Sequence, residues 1–366
     1  MKVLFVVRAG NHPATRLRVI QYLERLKDAH IDSEVMPFPT GLLGWWGLLR
    51  KAKDSDIVFF QKKRVHKFWL KRLKAKGLKL IYDFDDAVMF NSSRHPIPDS
   101  PLRMRHFASM VKRCHGIIAG NSYLKSLAEP YNKNIWILPT TIDTDKYRIK
   151  NYESIEHRAD SVEQDNNLRS TLPAHSGEAR PLWGRHSQRS SSPVTLGWIG
   201  GSKSLVFLKA LQPMLDRIAE RHNNVALKIV CDSFFEVNKM PIIKKAWSEA
   251  DEAQDVLSFD IGLAPLPDDP WSRGKCATKL LQYMASGIPA VASAVGVHNE
   301  IIRDSVNGCL ARNDAEWFDK LSRLIEDVTL RQRLGSAARQ TAEQDYSVQA
   351  NAPKLIEILK KVKGLP

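Results

Sequence analysis

The chain runs twice through one alternation, a short apolar run followed by a stretch with helical spacing of its apolar residues. KVLFVV, EVMPF, DIVFFQ, KLIYDF, GIIAG and NIWILP are the runs of the first series. Between several of them lie helical stretches such as ATRLRVIQYLERLKDA, VHKFWLKRLKAKG and PLRMRHFASMVKRC; Leu17, Ile20, Leu23 and Leu26 mark the buried side of the first. This is the pattern of a doubly wound parallel sheet. A second series opens at VTLGWIG and continues through SLVFLKALQPMLDRIAERH, ALKIVC, DIGLAPL, ATKLLQYMASG and AVASAV, with helices from Asp314 onward. The expected architecture is therefore α/β, two tandem Rossmann-like domains. At 366 residues the chain is too long for one comfortable core and suits two.

Residues 148–193 differ in texture, being polar, poor in aliphatics and closed by a Ser/Arg run. They lack the apolar surface that offsets ordering entropy and read as a linker or insertion. The division expected is residues 1–147, the linker 148–193, a second domain over 194–348, and a terminal segment over 349–366.

No apolar run reaches the roughly 18 residues of a membrane span. The run LFVV before Arg8 is shorter than the ~7 residues of a secretory core and reads as a buried strand. Cys114, Cys231, Cys276 and Cys309 lie far apart, which suggests neither a zinc site nor a disulfide framework and fits a reducing cytoplasm. The net charge of +15 is unevenly placed. Residues 1–150 hold 28 Lys and Arg against 13 Asp and Glu, whereas residues 151–366 hold 27 of each. Such asymmetry points to an anionic surface or polymer facing the first half. No nucleic-acid-binding motif accompanies the charge, so nucleic acid is not an expected partner.

The segment WSRGKCATKLLQYMASGIPAVAS, Trp271 to Ser293, concentrates the chemistry. Arg273, Lys275 and Lys279 place three cations around the start of a helix whose first N–H groups and dipole also favour an anion. Spaced four apart, Lys275 and Lys279 are expected on one helical face, a repulsive arrangement unless an anion sits between them. Gly200, Gly201, Ser202 and Lys203 follow an apolar strand and open another helix, where glycine lets the backbone approach a diphosphate. An ordinary strand-to-helix turn and a solvated helix face are the alternative readings.

The stretches VTLGWIGGSKS, DIGLAPLPDDPWSRGK and CATKLLQYMASGIPAVASAVGVHNEII resemble the donor-binding domain of GT-B glycosyltransferases, in particular the retaining family 4, or group 1, enzymes of bacterial glycan synthesis. IYDFDDAVM and IIAGNSYLKSLAEPYNKNIWILPTTID are similar to that family's first domain. The resemblance implies two Rossmann-like domains facing across a cleft, a nucleotide-diphosphate sugar bound by the second, an acceptor against the first, and a terminal helix over 349–366 that crosses back to the first domain. It also implies retention of anomeric configuration, no metal and no further cofactor. Many members carry two glutamates eight positions apart; here those positions are Gly274 and Gln282. An amide at Gln282 still hydrogen-bonds a ribose without adding charge. A GT-B sugar-nucleotide epimerase and an inactive donor-binding relative stay open as alternatives.

Other candidates follow from position. His298, Asn299 and Glu300 end the AVASAVG strand, where ligands collect in open α/β sheets, and Asn299 and Glu300 join the donor-side set. Helix capping by Asn299 is the other account. Gly10, Asn11, Arg16 and Arg18 follow the first strand and by resemblance face the cleft toward acceptor or phosphate. Asp83, Asp85 and Asp86 end KLIYDF; Asp85 and Asp86 are the candidates for an acidic catalytic contact rather than for a metal. Finally, residues 61–79 hold nine basic residues and no acid, with Val65, Phe68, Trp69 and Leu73 interleaved. Together with Trp45 and Trp46, the cations Lys62, Lys63, Arg64, Lys67 and Lys71 suit an anionic membrane surface. A lipid-linked acceptor and a peripheral place on the inner face of the cell membrane follow as expectations.

Overall fold

A computed structural model describes residues 1–8, 12–148 and 193–365. Gly10, Asn11 and nearly all of the 148–193 segment lie outside the described residues. The first sheet contains β1 (Lys2–Val7), β2 (Asp32–Pro37), β3 (Ile57–Gln61), β4 (Lys79–Phe84), β5 (Gly116–Ala119) and β6 (Ile135–Ile137), in the order β2-β1-β3-β4-β5-β6. Every pairing in it is parallel. Its helices are α1 (Pro13–Arg18), α2 (Leu23–Asp28), α3 (Gly41–Lys51), α4 (Lys67–Ala75), α5 (Pro101–Val111) and α6 (Ser122–Ala128). Strands buried on both faces must be apolar throughout, and β1 shows the sorting. Leu4 and Val6 meet α3, α4, α5 and α6 on one side, while Val3 and Phe5 meet α2 on the other.

The second sheet is also six-stranded and parallel, in the order β12-β11-β10-β7-β8-β9. Its strands are β7 (Val194–Ile199), β8 (Val225–Cys231), β9 (Ile242–Ala246), β10 (Ile261–Ala264), β11 (Ala290–Ser293) and β12 (Cys309–Ala311). Helices α7 (Ser202–Lys209), α8 (Gln212–Arg221), α9 (Glu252–Leu257), α10 (Pro270–Arg273), α11 (Thr278–Ala285), α12 (His298–Ile301), α13 (Asp314–Glu326) and α14 (Val328–Asp345) complete it. Two sheets of this kind, each wrapped by helices, make the GT-B architecture. The short strands β9 and β12 are elements that the sequence pattern did not single out.

The chain passes between the domains twice at one place. Ile142 and Tyr147 pack into the core of the second domain, and the Ile142 N–H donates to Tyr346 O at 2.9 Å. The final helix, α15 (Val348–Lys363), then returns to the first sheet, where Ala352, Leu355, Leu359 and Val362 cover Val3, Phe5 and Ile81.

One expectation needs correction here. The stretch 14–29 is not a single helix: α1 stops at Arg18, Val19 leaves helical geometry (φ −131°), and a short 3-10 turn precedes α2. The break lets Arg18 lie beneath β4, where it is only 2% exposed. Its Nε donates to both carboxylate oxygens of Asp83 at 3.0 and 2.9 Å, and its Nη1 to Leu138 O at 3.1 Å. A buried guanidinium needs such partners, and meeting them here costs the helix its continuity.

Candidate active site

Parallel sheets gather their strand C-termini on one edge, and the two edges here face each other across a cavity of about 590 Å³. That is the ordinary size of a ligand site. The first domain contributes His12, Arg16, Lys62, Asp85 and Asp86; the second contributes Gly200, Gly201, Trp247, Glu252, Lys275, Lys279, Gln282 and His298.

Lys275 and Lys279 both reach this cavity, though not from one helical face. Lys275 sits in the turn after α10, and Ala277, with a left-handed backbone (φ 53°), separates it from α11, which starts at Thr278. Lys275 Nζ lies 3.1 Å from Asp86 Oδ1 and 4.8 Å from the centre of the Trp271 ring. Lys279 is half-buried, with its Nζ 5.1 Å from the centre of the Trp198 ring, and among the described residues no carboxylate pairs with it. Burial, reinforced by Lys275, brings its pKa down to about 8. A Cβ on Gly200 would stand 2.7 Å from Cε of Lys279 and 2.9 Å from the Trp198 ring, so a side chain there would displace the lysine.

Asp86 bridges the domains. It pairs with Lys275 of the second domain and with Lys62 of the first, and Lys62 Nζ is also 3.4 Å from Asp85 Oδ1. Burial pushes the Asp86 carboxyl up, but Lys275 and Lys62 outweigh it and hold the group below the usual carboxylate range. The same pairing holds Lys62 charged against its own burial. Lys62 has a left-handed backbone (φ 60°), and its side chain enters the cleft rather than the outer face expected for a membrane contact. Strained backbone of this kind gathers at functional sites. Arg64 also turns inward, donating to Arg103 O at 3.0 Å.

Arg16 crosses the cleft from its other wall. Its Nη2 donates to both oxygens of Glu252, at 2.9 and 3.0 Å, and its Nη1 lies 2.9 Å from Glu249. Glu252, itself buried, also accepts from the Tyr147 hydroxyl (2.9 Å) and from Trp247 Nε1 (3.2 Å). Gln282 enters the same network, its Nε2 donating to the Tyr147 oxygen at 3.1 Å. Position 274 has no room for a glutamate: a Cβ on Gly274 would lie 2.5 Å from Cβ of Ala87, on the first domain. Close approach of the domains thus explains the glycine.

Several candidates stand elsewhere. Arg18 is a core residue rather than a cleft residue. Arg273 is half exposed and paired with Asp268 at 2.6 Å, outside the cavity lining. Ser202 faces Asp232, which accepts from its N–H at 2.8 Å, and the exposed Lys203 does not line the cavity. Asn299 is exposed, and Glu300 accepts from Ser122 of the first domain; neither lines the cavity. Conversely, Trp247, Glu252 and Tyr147 were not anticipated. His298 was, though only as part of its loop: its Nδ1 donates to Ser293 O at 2.9 Å and burial lowers its pKa to about 4, keeping it neutral. Among the described residues no group of three His, Cys, Asp or Glu side chains is arranged to hold a metal ion. Cations already occupy the surroundings of Asp83, Asp85 and Asp86.

Residues 203–327 match the family model described as glycosyl transferases group 1. The match lies within the second domain, and over those residues the chain is similar to group 1 glycosyltransferases. Its fold is similar to that of Alr3699/HepE from Anabaena, solved in complex with UDP and glucose, with TM-score 0.68, 17% identity, and coverage of 99% of this chain and 100% of that one. A glycosyltransferase from Rickettsia africae gives a TM-score of 0.69 at 16% identity, covering 99% and 98%. Sucrose-phosphate synthase from Thermosynechococcus elongatus gives 0.67 at 10%, covering 99% of each. At such identities the likeness carries the fold alone. No curated protein sequence matches the chain significantly.

Proposed function

We propose that this protein moves a sugar from a nucleotide-diphosphate sugar to a glycan or lipid-linked acceptor held against the first domain, with retention and without a metal ion. The observation that carries the reading is the half-buried Lys279 beside Lys275 and the Gly200–Gly201 backbone, lining the cavity on the sheet edge that faces the other domain. Like charges held together over one cavity favour an anion between them. When the glycosidic C–O bond breaks, the electron pair leaves with the diphosphate, and these groups neutralise it where a metal would otherwise serve. Asp86 is then the anion that occupies Lys275 and Lys62 until donor arrives, and Asp85 and Asp86 face the acceptor side. The UDP and UDP-glucose complexes of the structurally similar HepE support a uridine nucleotide as the first ligand to try.

The deciding experiment is calorimetric titration of UDP into the protein and into Lys275→Ala and Lys279→Ala variants. A loss of ~10-fold or more in affinity is expected for each, the scale of a charge-assisted contact. Unchanged affinity in both removes the lysines from the site. Transfer assayed with EDTA is expected to continue; activity lost in EDTA and restored by Mn²⁺ rejects metal independence.

A further inference from the structure

The helices α3, α4 and α5 lie side by side on one face of the first sheet, packed over Leu4, Val58 and Tyr82. None of them carries an acidic residue, and together they hold eight Lys and Arg. Trp45 of α3 stacks on Trp69 of α4 at 5.2 Å, and Arg64, just before α4, donates to the α5 backbone at Arg103, so the three form one surface. Because the sheet is parallel, their N-terminal ends all lie along the edge that holds Lys62, Asp85 and Asp86. Those ends are where large apolar side chains stand in solvent: Leu42 (71% exposed), Leu43 (88%), Trp46 (53%), Phe68 (45%) and Leu102 (61%). Exposed Lys67, Lys71 and Arg72 flank them, and Arg72 lies over the Trp46 and Phe68 rings.

Single exposed leucines need no explanation, but a row of large apolar groups on acid-free helices, flanked by Lys67, Lys71 and Arg72, does. We infer that this rim seats on an anionic phospholipid surface, with the apolar row in the headgroup layer and the cleft opening beside the bilayer. Charge complementarity selects the occupant. The residues from Ile57 to Tyr82 include no acid to repel lipid phosphate, and tryptophan and leucine at an edge suit the boundary between headgroup and acyl chain. No helix among the described residues is long and apolar enough to cross a membrane, so the contact is a seat and not a span. Docking stands on this surface alone. That the cleft receives a lipid-linked acceptor there rests on the transferase reading above.

The test is co-sedimentation of the full chain with phosphatidylcholine vesicles, with and without phosphatidylglycerol. Binding to the anionic vesicles only, weakened by high salt, is expected. Leu43→Ser with Trp46→Ser is expected to reduce the bound fraction about 10-fold, and Lys67→Gln or Lys71→Gln about fivefold each. These side chains are exposed, so an unchanged melting temperature confirms that the variants fold. Brominated lipid is expected to quench the wild type more than Trp46→Phe. Lys279→Ala is expected to bind vesicles normally, so failure of donor binding and failure of docking are read separately. No sedimentation, equal binding to neutral vesicles, variants that bind like wild type, or tighter binding to RNA than to vesicles each overturns the proposal.

Discussion

Lys279 offers the sharpest physical test, because its environment makes the charge costly until an anion arrives. Burial and Lys275 hold its pKa near 8, against an ordinary 10.5. In the proposed complex a diphosphate supplies the missing counter-charge and returns the group toward its ordinary value. The sign follows from linkage. Below pH 8 the lysine is protonated in both states, and this term is flat. Between about 8 and 10.5 the free protein has lost the proton that the complex keeps, so affinity falls up to ~10-fold per pH unit. Across the whole window that is about 3 kcal/mol, taking 1.36 kcal/mol per unit. The phosphate itself, with a second pKa of about 6, is fully ionised there and adds no slope. Titrating UDP near pH 9 in buffers of different ionisation enthalpy is expected to show uptake approaching one proton, and Lys279→Met should abolish it. In the free protein the same burial destabilises the charged fold below pH 8. Lys279→Met is therefore expected to raise the melting temperature while weakening UDP binding, the usual exchange of stability for function. A flat affinity profile from pH 8 to 10 with no proton uptake would refute this account of the site.

Asp86→Asn removes the carboxylate that competes for Lys275 and Lys62; UDP is expected to bind ~3-fold or more tightly, and weaker binding by calorimetry rejects the counter-ion role. Arg18→Leu leaves Asp83 buried without its partner, an expected loss of about 3–5 kcal/mol in urea unfolding; a loss under ~1 kcal/mol would mean that the pair is not the anchor it appears geometrically. Gly274→Glu should not restore a family pattern but wedge the domains apart at Ala87, read as a lower melting temperature and weaker UDP binding; an unperturbed protein would show that the contact yields freely.

That Gly200, Gly201, Lys275 and Lys279 line one cavity was readable because loop-and-helix segments at a sheet edge are built largely from adjacent residues. The cleft's other wall was not. Arg16, Arg18, Lys62 and Arg273 are similar as letters, yet one bridges to Glu252, one anchors Asp83, one neutralises Asp86 and one pairs outside with Asp268. Glu252, Tyr147 and Gln282 are more than twenty residues from one another, and only the chain's crossing between domains brings them together. Nor could spacing foresee that Lys275 stands off the helix carrying Lys279, since the left-handed turn at Ala277 intervenes.

The sequence by itself determined two helix-wrapped parallel sheets, because strands buried on both faces must be apolar along their whole length and helices between them must be apolar on one side. It also determined a basic first half, since charge is additive and needs no geometry to count. Which cations face the cleft was decided only by the tertiary structure. A charged side chain settles wherever a carboxylate or water can receive it, and those partners come from other strands and from the opposite domain.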